Sequence, residues 1–305
     1  MGDRVTLYKV SIIIPTYNRY RSLVRLLKSL LRSRIPPNEI IVVDDGSSDE
    51  RIGNIPEKFP VVKLIRNDPP HGPQHARNRG IREAESPLIA FLDDDSIVDR
   101  DWLKHIVPHF KDRSVGIVGS RVISPIGKTS ALKSIFSLKT AWFEGDNIKW
   151  YLYSKDSPIE VPFVSEHGMV FRKKIVEKLS YLDPGLIGDA WGESISFCMR
   201  ARELGYKIIF EPKAITYHIH CPRGGTHRFG KYSPLGLYHK NSNRIYIFLK
   251  YHKKKWQFPF FATYLILNGL INSFIFKDPY TLIYAIRGML KGIKQYIKHK
   301  KNSHK

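Results

Sequence analysis

Three adjacent carboxylates, Asp93, Asp94 and Asp95, follow the apolar run 88–92. Carboxylates that lie side by side repel one another, and a divalent cation that bridges them to a phosphate removes this cost. Hard oxygen ligands of this kind suit Mg²⁺ or Mn²⁺. The alternative is a solvated acidic turn, but the position after a buried strand favours the metal site.

Two further polar groups could serve the same ligand. Arg77 and Arg79 lie just upstream of the acidic triplet, and a guanidinium fork can hold a diphosphate. Asp44-Asp45-Gly46-Ser47 offers a carboxylate to a nucleotide base or a ribose. Taken alone, the arginines could equally form a basic helix face, and the second motif could be a simple turn.

The elements that carry these residues alternate between strands and helices. Short β-branched runs at 10–15, 39–43, 61–65 and 88–92 predict buried strands. Leucines at helical spacing within 23–31 and a polar segment over about 73–85 predict two helices between them. Alternation of this kind indicates a parallel sheet, and ligands bind at the carboxyl ends of its strands. The clusters beginning at Pro15, Asp44 and Asp93 are therefore predicted to converge on one site.

Composition narrows the class of protein. The chain has 305 residues, of which 42% are hydrophobic and 26% are charged. This excludes a disordered tail and a polytopic membrane protein. Two cysteines, Cys198 and Cys221, are too few for a disulfide framework or a cysteine-based zinc site. The polar N-terminus (Met1-Gly2-Asp3-Arg4) lacks the apolar core of a signal peptide, so we expect a cytoplasmic chain.

The positive charge is concentrated near the C-terminus. The net charge is +22, and residues 212–305 hold 18 Lys or Arg against one acid, Asp278. Residues 256–276 are mostly apolar and of borderline length for a membrane span. A basic amphipathic helix over 282–301 follows, which is typical of contact with an anionic membrane surface. The alternative is a helix packed on the domain with a solvated basic face.

Four motifs together resemble family 2 glycosyltransferases with the GT-A fold. They are 11–19 (SIIIPTYNR), 42–49 (VVDDGSSD), 76–80 (ARNRG) and 91–95 (FLDDD), in the family's order. The resemblance implies an α/β fold, with a Rossmann-like, mostly parallel sheet and flanking helices. It implies a nucleotide-sugar-dependent domain over 1–225, which leaves 226–305 as a helical extension that we expect to associate with a membrane.

The resemblance also implies roles for single residues. The positions that match the nucleotide-sugar motifs are Pro15, Thr16, Asn18, Asp45, Arg77, Asp93 and Asp94. Thr16 and Asp45 would contact the base, and Arg77 would help to hold the nucleotide. Asp95 would bind Mn²⁺ or Mg²⁺ directly, and His218 would complete the metal shell; the alternative for His218 is a histidine at a sheet edge.

The segment 191–200 resembles the family's acceptor-site motif, with one departure. Many inverting members carry there an Asp that deprotonates the acceptor hydroxyl, and this chain has Ser194. A serine hydroxyl is a poor base at neutral pH, so Glu193 is the first candidate for the base and Asp189 the second. Glu193 could instead cap the helix that follows. The departure leaves inversion or retention of configuration open, with inversion favoured.

The sequence therefore predicts a metal-dependent glycosyltransferase at the cytoplasmic face of the cell membrane. The donor would be a nucleotide-diphosphate sugar, and the acceptor a hydroxyl of a lipid-linked or polysaccharide glycan. One alternative is a nucleotidyltransferase of similar fold, although 15–18 (PTYN) is not a glycine-rich phosphate loop. The other is a basic nucleic-acid-binding protein. We do not favour it, because the basic residues lie beside an apolar stretch and not beside an aromatic platform on which bases could stack.

Overall fold

The computed structural model describes residues 9–123, 156–183, 185–188, 190–219 and 234–302. The first half of the chain alternates strands and helices. Its elements are β1 (Val10–Thr16), α1 (Tyr20–Leu30), β2 (Glu39–Asp44), α2 (Ile55–Lys58), β3 (Val62–Arg66), α3 (Pro73–Glu83) and β4 (Leu88–Phe91). The strands predicted at 10–15, 39–43, 61–65 and 88–92 are β1 to β4, and the helix predicted over about 73–85 is α3.

The second half completes one mixed sheet. Its elements are β5 (Ser96–Val98), α4 (Trp102–Ile106), β6 (Val115–Ile123), β7 (Ile159–Glu160), β8 (Met169–Arg172), α5 (Lys173–Lys178), α6 (Glu193–Glu203) and β9 (Lys207–His218). The strand order is β3-β2-β1-β4-β8-β6-β9-β5, and β7 pairs with β9. The strands β3, β2, β1 and β4 are parallel to one another, whereas β8 runs antiparallel to both β4 and β6.

The sheet is buried on both faces because its strand residues alternate between two layers. Ile12 and Ile14 of β1 pack with the leucines of α1, and Ile13 packs with the opposite layer, which includes α3 and α6. Strands that are covered on both sides read as continuous apolar runs, which is the pattern of 10–14 and 40–43. The core therefore fixes the register in which β1, β2 and β4 end at a common edge.

The structure differs from the sequence prediction at β9. The runs 207–210 and 214–217 are predicted as two strands, yet they form one continuous strand. The pairing partner changes from Glu211 opposite Ser120 to Ile215 opposite Arg121, so the residues between them bulge out of the ladder. Pro212 lies in this bulge, where its missing N–H costs no ladder hydrogen bond.

Three helices complete the described chain: α7 (Pro234–Tyr251), α8 (Phe258–Phe276) and α9 (Tyr280–Asn302). The predicted apolar stretch corresponds to α8, which continues through Asn268 and Gly269. The Asn272 side chain donates a hydrogen bond to the Asn268 carbonyl at 2.8 Å, so this amide finds a partner within the helix. The segment Lys255–Ile275 is long and apolar enough to cross a membrane by length and composition.

The face of α9 that packs on α7 coincides only in part with the apolar face that the sequence indicates. The predicted apolar face is Leu282, Ile286, Met289, Leu290, Ile293 and Ile297. In the structure Ala285 and Met289 are buried, but Leu290 is 54% exposed and Ile286 and Ile297 are exposed as well. The reason is Gly288 and Gly292: a Cβ at either would come within 2.4 Å of a backbone carbonyl of α7. These glycines allow α7 to approach closely, so α9 packs through this side and leaves an apolar ridge of Ile286, Leu290 and Ile297 exposed.

A buried carboxylate fastens α7 to the rest of the fold. Asp183 accepts hydrogen bonds from Tyr246 at 3.0 Å, from Lys250 at 2.9 Å and from Tyr251. The Asn243 side chain bonds both backbone groups of Ile187 at 2.9 Å. The predicted domain boundary at 225/226 lies outside the described residues.

Candidate active site

The polar clusters at the strand ends meet at one edge of the sheet. Thr16, at the end of β1, donates a hydrogen bond from Oγ1 to Oδ2 of Asp94 at 2.8 Å. Arg19, just beyond β1, contacts Oδ1 of Asp94 at 3.0 Å and Oδ2 of Asp95 at 2.8 Å. Thr16, Arg19, Asp94 and Asp95 are all buried. Burial, reinforced by Asp95 and opposed by Arg19, raises the pKa of Asp94 to about 7.

Arg77 joins the acidic triplet to the segment predicted as the acceptor site. Its guanidinium lies 2.6 Å from Oδ1 of Asp93 and 3.1 Å from Oε1 of Glu193, the first residue of α6. Both α3 and α6 pack on the same face of the sheet, which brings together residues 116 positions apart in the sequence. Burial, aided by Glu166 and opposed by Arg77, raises the pKa of Glu193 to about 7. Among the described residues Oε2 of Glu193 has no hydrogen-bond partner.

Three side chains form a group that could hold a metal ion. Ligand atoms of Asp93, His167 and His218 all lie within 4.8 Å of one another. Nε2 of His218, at the end of β9, also lies 3.2 Å from Oδ1 of Asp95. Nδ1 of His167 lies 3.0 Å from Oδ2 of Asp93, and the two imidazoles stack at 4.2 Å. The structure thus brings the predicted ligands Asp95 and His218 together and adds Asp93 and His167.

His167 and Glu166, which sequence reasoning missed, lie just before β8. Burial alone would lower the pKa of His167, but the carboxylates of Asp93 and Glu166 outweigh burial and raise it to about 9. The Glu166 carboxylate accepts a hydrogen bond from Ser194, the position where many inverting relatives carry an acid. The only signal in the sequence was a polar Ser165-Glu166-His167 run in front of the apolar strand 169–171.

The remaining predicted residues lie around this centre. Asp45 accepts hydrogen bonds from the Asn67 amide and from the backbone N–H groups of His71 and Gly72, at 2.7–3.0 Å. It therefore shapes the loop that leads into α3. Pro15 is half-buried in β1, and Asp189 lies outside the described residues.

Asn18 organises the turn beyond β2. Its φ of 55° is in the left-handed region, which asparagine tolerates better than most residues. Its side-chain oxygen accepts from the N–H groups of Ser48 at 2.8 Å and of Asp49 at 3.2 Å. Asn18 thereby connects the turn after β1 to the turn after β2, beside the Asp44-Asp45 pair.

This edge of the sheet therefore carries a group of carboxylate and imidazole side chains, with the guanidinium groups of Arg19 and Arg77 between them. The guanidinium groups of Arg19 and Arg77 can balance the charge of a diphosphate. The partly ionised Glu193 can exchange a proton near neutral pH. A parallel sheet that places such groups at the carboxyl ends of its strands is typical of nucleotide-dependent enzymes.

Sequence comparison assigns the chain to a family. The family described as "Glycosyl transferase family 2" matches residues 11–180. The chain belongs to this family. Because this match covers β1 to β4, the acidic triplet and the Glu166-His167 pair, it favours the glycosyltransferase prediction over the nucleotidyltransferase and the nucleic-acid-binding protein.

The chain is similar to the "Pre-mycofactocin glycosyltransferase" of Mycobacterium tuberculosis. The two are 28% identical over 226 residues, which is 69% of this chain and 43% of the relative. The chain thus spans less than half the length of this curated relative.

Solved structures share the fold. One is the "Mannosyltransferase PcManGT from Pyrobaculum calidifontis in complex with GDP-Man and Mn2+", with a TM-score of 0.58, 17% identity and coverage of 93% of this chain and 87% of that one. Another is S. aureus TarS 1–349 in complex with UDP-GlcNAc, with a TM-score of 0.57, 20% identity and coverage of 94% and 89%. The predicted fold class is confirmed: the sheet and its flanking helices form the GT-A fold, followed by an apolar helix in the C-terminal extension.

Proposed function

We propose that this chain transfers a sugar from a nucleotide-diphosphate sugar to a hydroxyl of a lipid-linked or other glycan acceptor, with inversion and with Mn²⁺ or Mg²⁺. The observation that carries the proposal is the Arg77 bridge. One buried guanidinium contacts both Asp93, on the predicted donor side, and Glu193, on the predicted acceptor side. Two solved structures of the same fold, with GDP-Man and with UDP-GlcNAc, support a nucleotide-sugar donor.

The residues present fit a divalent cation. Asp95 and His218, the predicted ligands, lie in contact, and Asp93 and His167 supply two further donor atoms nearby. Imidazoles beside carboxylates suit Mn²⁺ better than Mg²⁺, which prefers an all-oxygen shell. A bound cation would stabilise the negative charge of the departing diphosphate as a Lewis acid.

The side chains of the site supply the other steps. Glu193, through the unpartnered Oε2, takes the proton of the acceptor hydroxyl while the oxygen of that hydroxyl forms a bond to C1 of the sugar. The bond between C1 and the diphosphate oxygen breaks, and the nucleoside diphosphate leaves with the electron pair. Arg77 orients Glu193 and contributes positive charge on the donor side. A base on the acceptor side is what inversion requires, and a pKa near 7 suits that role at neutral pH.

The extension supports an attachment to the cytoplasmic face of the membrane. We take 1–225 as the transferase unit and 226–305 as the extension. The apolar ridge of α9 and most large side chains of α8 face solvent, and Phe274 is 87% exposed. The exposed cations Arg287, Lys291 and Lys294 lie on α9 beside this surface. Apolar area bordered by cations fits a bilayer that contains anionic lipids.

Binding of a nucleoside diphosphate tests the proposal. Calorimetry with UDP and with GDP, each with and without Mn²⁺, should show binding of one of them that is strengthened by Mn²⁺. His167→Ala and Asp95→Asn should each weaken the Mn²⁺-dependent binding at least tenfold, because each removes a group from the metal cluster. His105→Ala, on α4, is the matched control and should bind like the wild type.

Two results would contradict the proposal. If neither nucleotide binds under any condition, the transferase function is wrong. If one nucleotide binds equally tightly without a divalent cation, with Mn²⁺ and with Mg²⁺, the proposed metal requirement is wrong.

A further inference from the structure

Helices α8 and α9 form an antiparallel hairpin, joined by the turn 277–279. A Cβ at Gly269 of α8 would lie 2.9 Å from the Cβ of Ala285 of α9, so the two backbones approach closely there. Further from the turn on both helices, Phe261 of α8 and Met289 of α9 are buried in one apolar cluster. The two helices therefore pack on each other at two levels and form one unit.

Helix α7 holds this hairpin to the rest of the chain. Gly288 and Gly292 of α9 lie against the backbone carbonyls of Tyr238 and Ser242 in α7. The α7 helix is bonded in turn to the buried carboxylate of Asp183, in the transferase unit. A change in the orientation of α8 would therefore have to carry α9 and α7 with it.

The side of α8 that α7 and α9 leave uncovered is mostly apolar. Its exposed large side chains are Phe260, Ile266, Leu267, Leu270, Ile271, Phe274 and Ile275. No charged residue occurs in the sequence between Gln257 and Lys277. The amides of Asn268 and Asn272 are half-buried and hydrogen-bonded to each other. An exposed face of this kind marks a contact with a membrane or with another protein.

Helix α9 extends this face with an apolar ridge and borders it with cations. The ridge consists of the exposed Ile283, Ile286, Leu290 and Ile297, and the exposed cations Arg287, Lys291, Lys294 and Lys298 form a second row. At 3.6 residues per turn, the ridge lies between the row of cations and the side of α9 that packs on α8. The apolar surface of the hairpin is thus bordered by positive charge along one edge, and anionic lipid head groups are the complement of that charge.

The register of the hairpin argues against a membrane span through α8. Arg287 lies two residues after Ala285, and Leu267 lies two residues before Gly269, so Arg287 and Leu267 are abreast. Leu267 is the middle residue of α8 (Phe258–Phe276). If α8 crossed a bilayer, Arg287 would lie near its centre, about 15 Å from either edge of the hydrocarbon. A charged side chain at that depth is costly, and Arg287 is exposed on the hairpin.

We propose that the hairpin lies flat in one leaflet of an anionic bilayer, with α8 and the ridge of α9 below the head groups and the row of cations at the lipid phosphates. In this orientation α8 does not cross the membrane, although its length and composition would allow it. All four cations then meet head groups, and the apolar face leaves water along its whole length. The inference rests on the proposed membrane attachment and decides its geometry.

Thiol labelling in a bacterial host that expresses the full chain tests the orientation. Lys277→Cys places a thiol in the exposed turn between the helices, and Lys254→Cys places one before α8 as the matched control. A membrane-impermeant maleimide is added to spheroplasts and to inside-out membrane vesicles, and the labelling of the wild type, which has Cys198 and Cys221, is subtracted. We expect both variants to be labelled in the inside-out vesicles and neither in the spheroplasts.

Two labelling results would overturn the inference. Labelling of Lys277→Cys in spheroplasts would show that the turn reaches the far side of the membrane, so that α8 spans it. Labelling of Lys277→Cys only after detergent is added would place the turn inside the bilayer, which a flat hairpin does not allow.

Co-sedimentation with vesicles of phosphatidylcholine and phosphatidylserine locates the contact. Leu267→Ser on α8 and Leu290→Ser on α9 should each weaken binding at least fivefold, because about half of each leucine leaves water in the bilayer. Leu204→Ser, just after α6, is the matched control: Leu204 is 43% exposed but lies outside the hairpin, so this variant should bind like the wild type. Thermal unfolding identifies any variant that fails to fold. Normal binding by folded Leu267→Ser and Leu290→Ser would overturn the inference.

The remaining outcomes separate this inference from its alternatives. If the chain is a dimer in solution, and Leu267→Ser makes it a monomer without changing vesicle binding, a second copy covers the face and the inference is wrong. If the turn is labelled in spheroplasts while UDP or GDP binds with Mn²⁺, the flat orientation is wrong and the transferase function stands. If the hairpin lies flat and neither nucleotide binds, the inference stands and the transferase function is wrong.

Discussion

Replacing Glu193 by glutamine tests whether the proposed base is a destabilised carboxylate. Glu193 is 4% exposed, its Oε1 lies 3.1 Å from Arg77, and Oε2 has no partner among the described residues. Burial is the largest influence on its ionisation, and the nearby Glu166 adds to it. Together they outweigh Arg77 and raise the pKa to about 7 from an ordinary value of 4.5.

The direction and size of the effect follow from proton linkage. Below pH 4.5 the carboxyl group is protonated in the folded and unfolded chains alike, so it adds no pH dependence. Between pH 4.5 and 7 the unfolded chain loses this proton while the folded chain keeps it, and the free energy of unfolding falls as pH rises. Above pH 7 the loss is complete, at about 3 kcal/mol. A glutamine side chain cannot ionise, so the variant Glu193→Gln escapes this loss.

The assay is urea unfolding at pH values from 4.5 to 8.5, on Glu193→Gln, the wild type and Glu203→Gln. Glu203 ends the same helix and is exposed, so it serves as the matched control. We expect the stability of Glu193→Gln relative to the wild type to rise by about 3 kcal/mol across the range, and the control to change little. Sugar transfer by Glu193→Gln should fall by about 10²–10⁴-fold, the usual contribution of a general base.

Parallel stability curves for Glu193→Gln and the wild type would refute the reasoning, because they would mean that Glu193 ionises normally in the folded chain. A stability gain without any loss of transfer would assign the carboxylate a structural role beside Arg77. In that case the proton acceptor would have to be another group, and Asp189, the second candidate, is the one to replace next.

Two further predictions concern the extension. The double variant Arg287→Gln, Lys291→Gln should bind vesicles that contain phosphatidylserine about thirtyfold more weakly, because each lost cation costs about 1 kcal/mol of binding free energy. Its binding to neutral vesicles should not change, and co-sedimentation measures both. Equal binding of the wild type and the variant to the anionic vesicles would contradict the proposed membrane orientation. Asp183→Ala should lower the free energy of unfolding by about 3 kcal/mol, because it leaves Lys250 without its buried partner. Glu83→Ala, at an exposed ion pair, is the control and should have little effect on urea unfolding; equal losses would show that Asp183 does not fasten α7.

The local part of the site could be predicted from sequence because each strand carries its own polar residues at its end. The apolar runs that form β1, β2 and β4 also fix where the polar residues Thr16, Asp45 and Asp93 follow them in the chain. Parallel pairing then brings these ends to one edge, whatever the rest of the chain does. The motif order pointed to the family for the same reason, since the four short segments meet at one edge of the sheet.

The partners of those residues were not predictable from local pattern. His167 comes from a short polar run in front of an antiparallel strand, and nothing within that run indicates which strand β8 will join. Its position beside Asp93 depends on β8 pairing with β4 across about 80 residues of sequence. The Arg77–Glu193 bridge likewise requires α3 and α6 to pack on the same face.

The sequence by itself determined the family, the parallel half of the sheet, the acidic edge and the basic, apolar character of the extension, because composition and strand-end chemistry are local properties. Only the tertiary structure decided the rest. Periodicity placed Leu290 on an apolar face of α9 and left open whether a membrane or the domain covers it; close approach at Gly288 and Gly292 packs a different face on α7 and leaves Leu290 exposed. Contacts of this kind are set by how two surfaces fit together, and no single segment carries the shape of its partner.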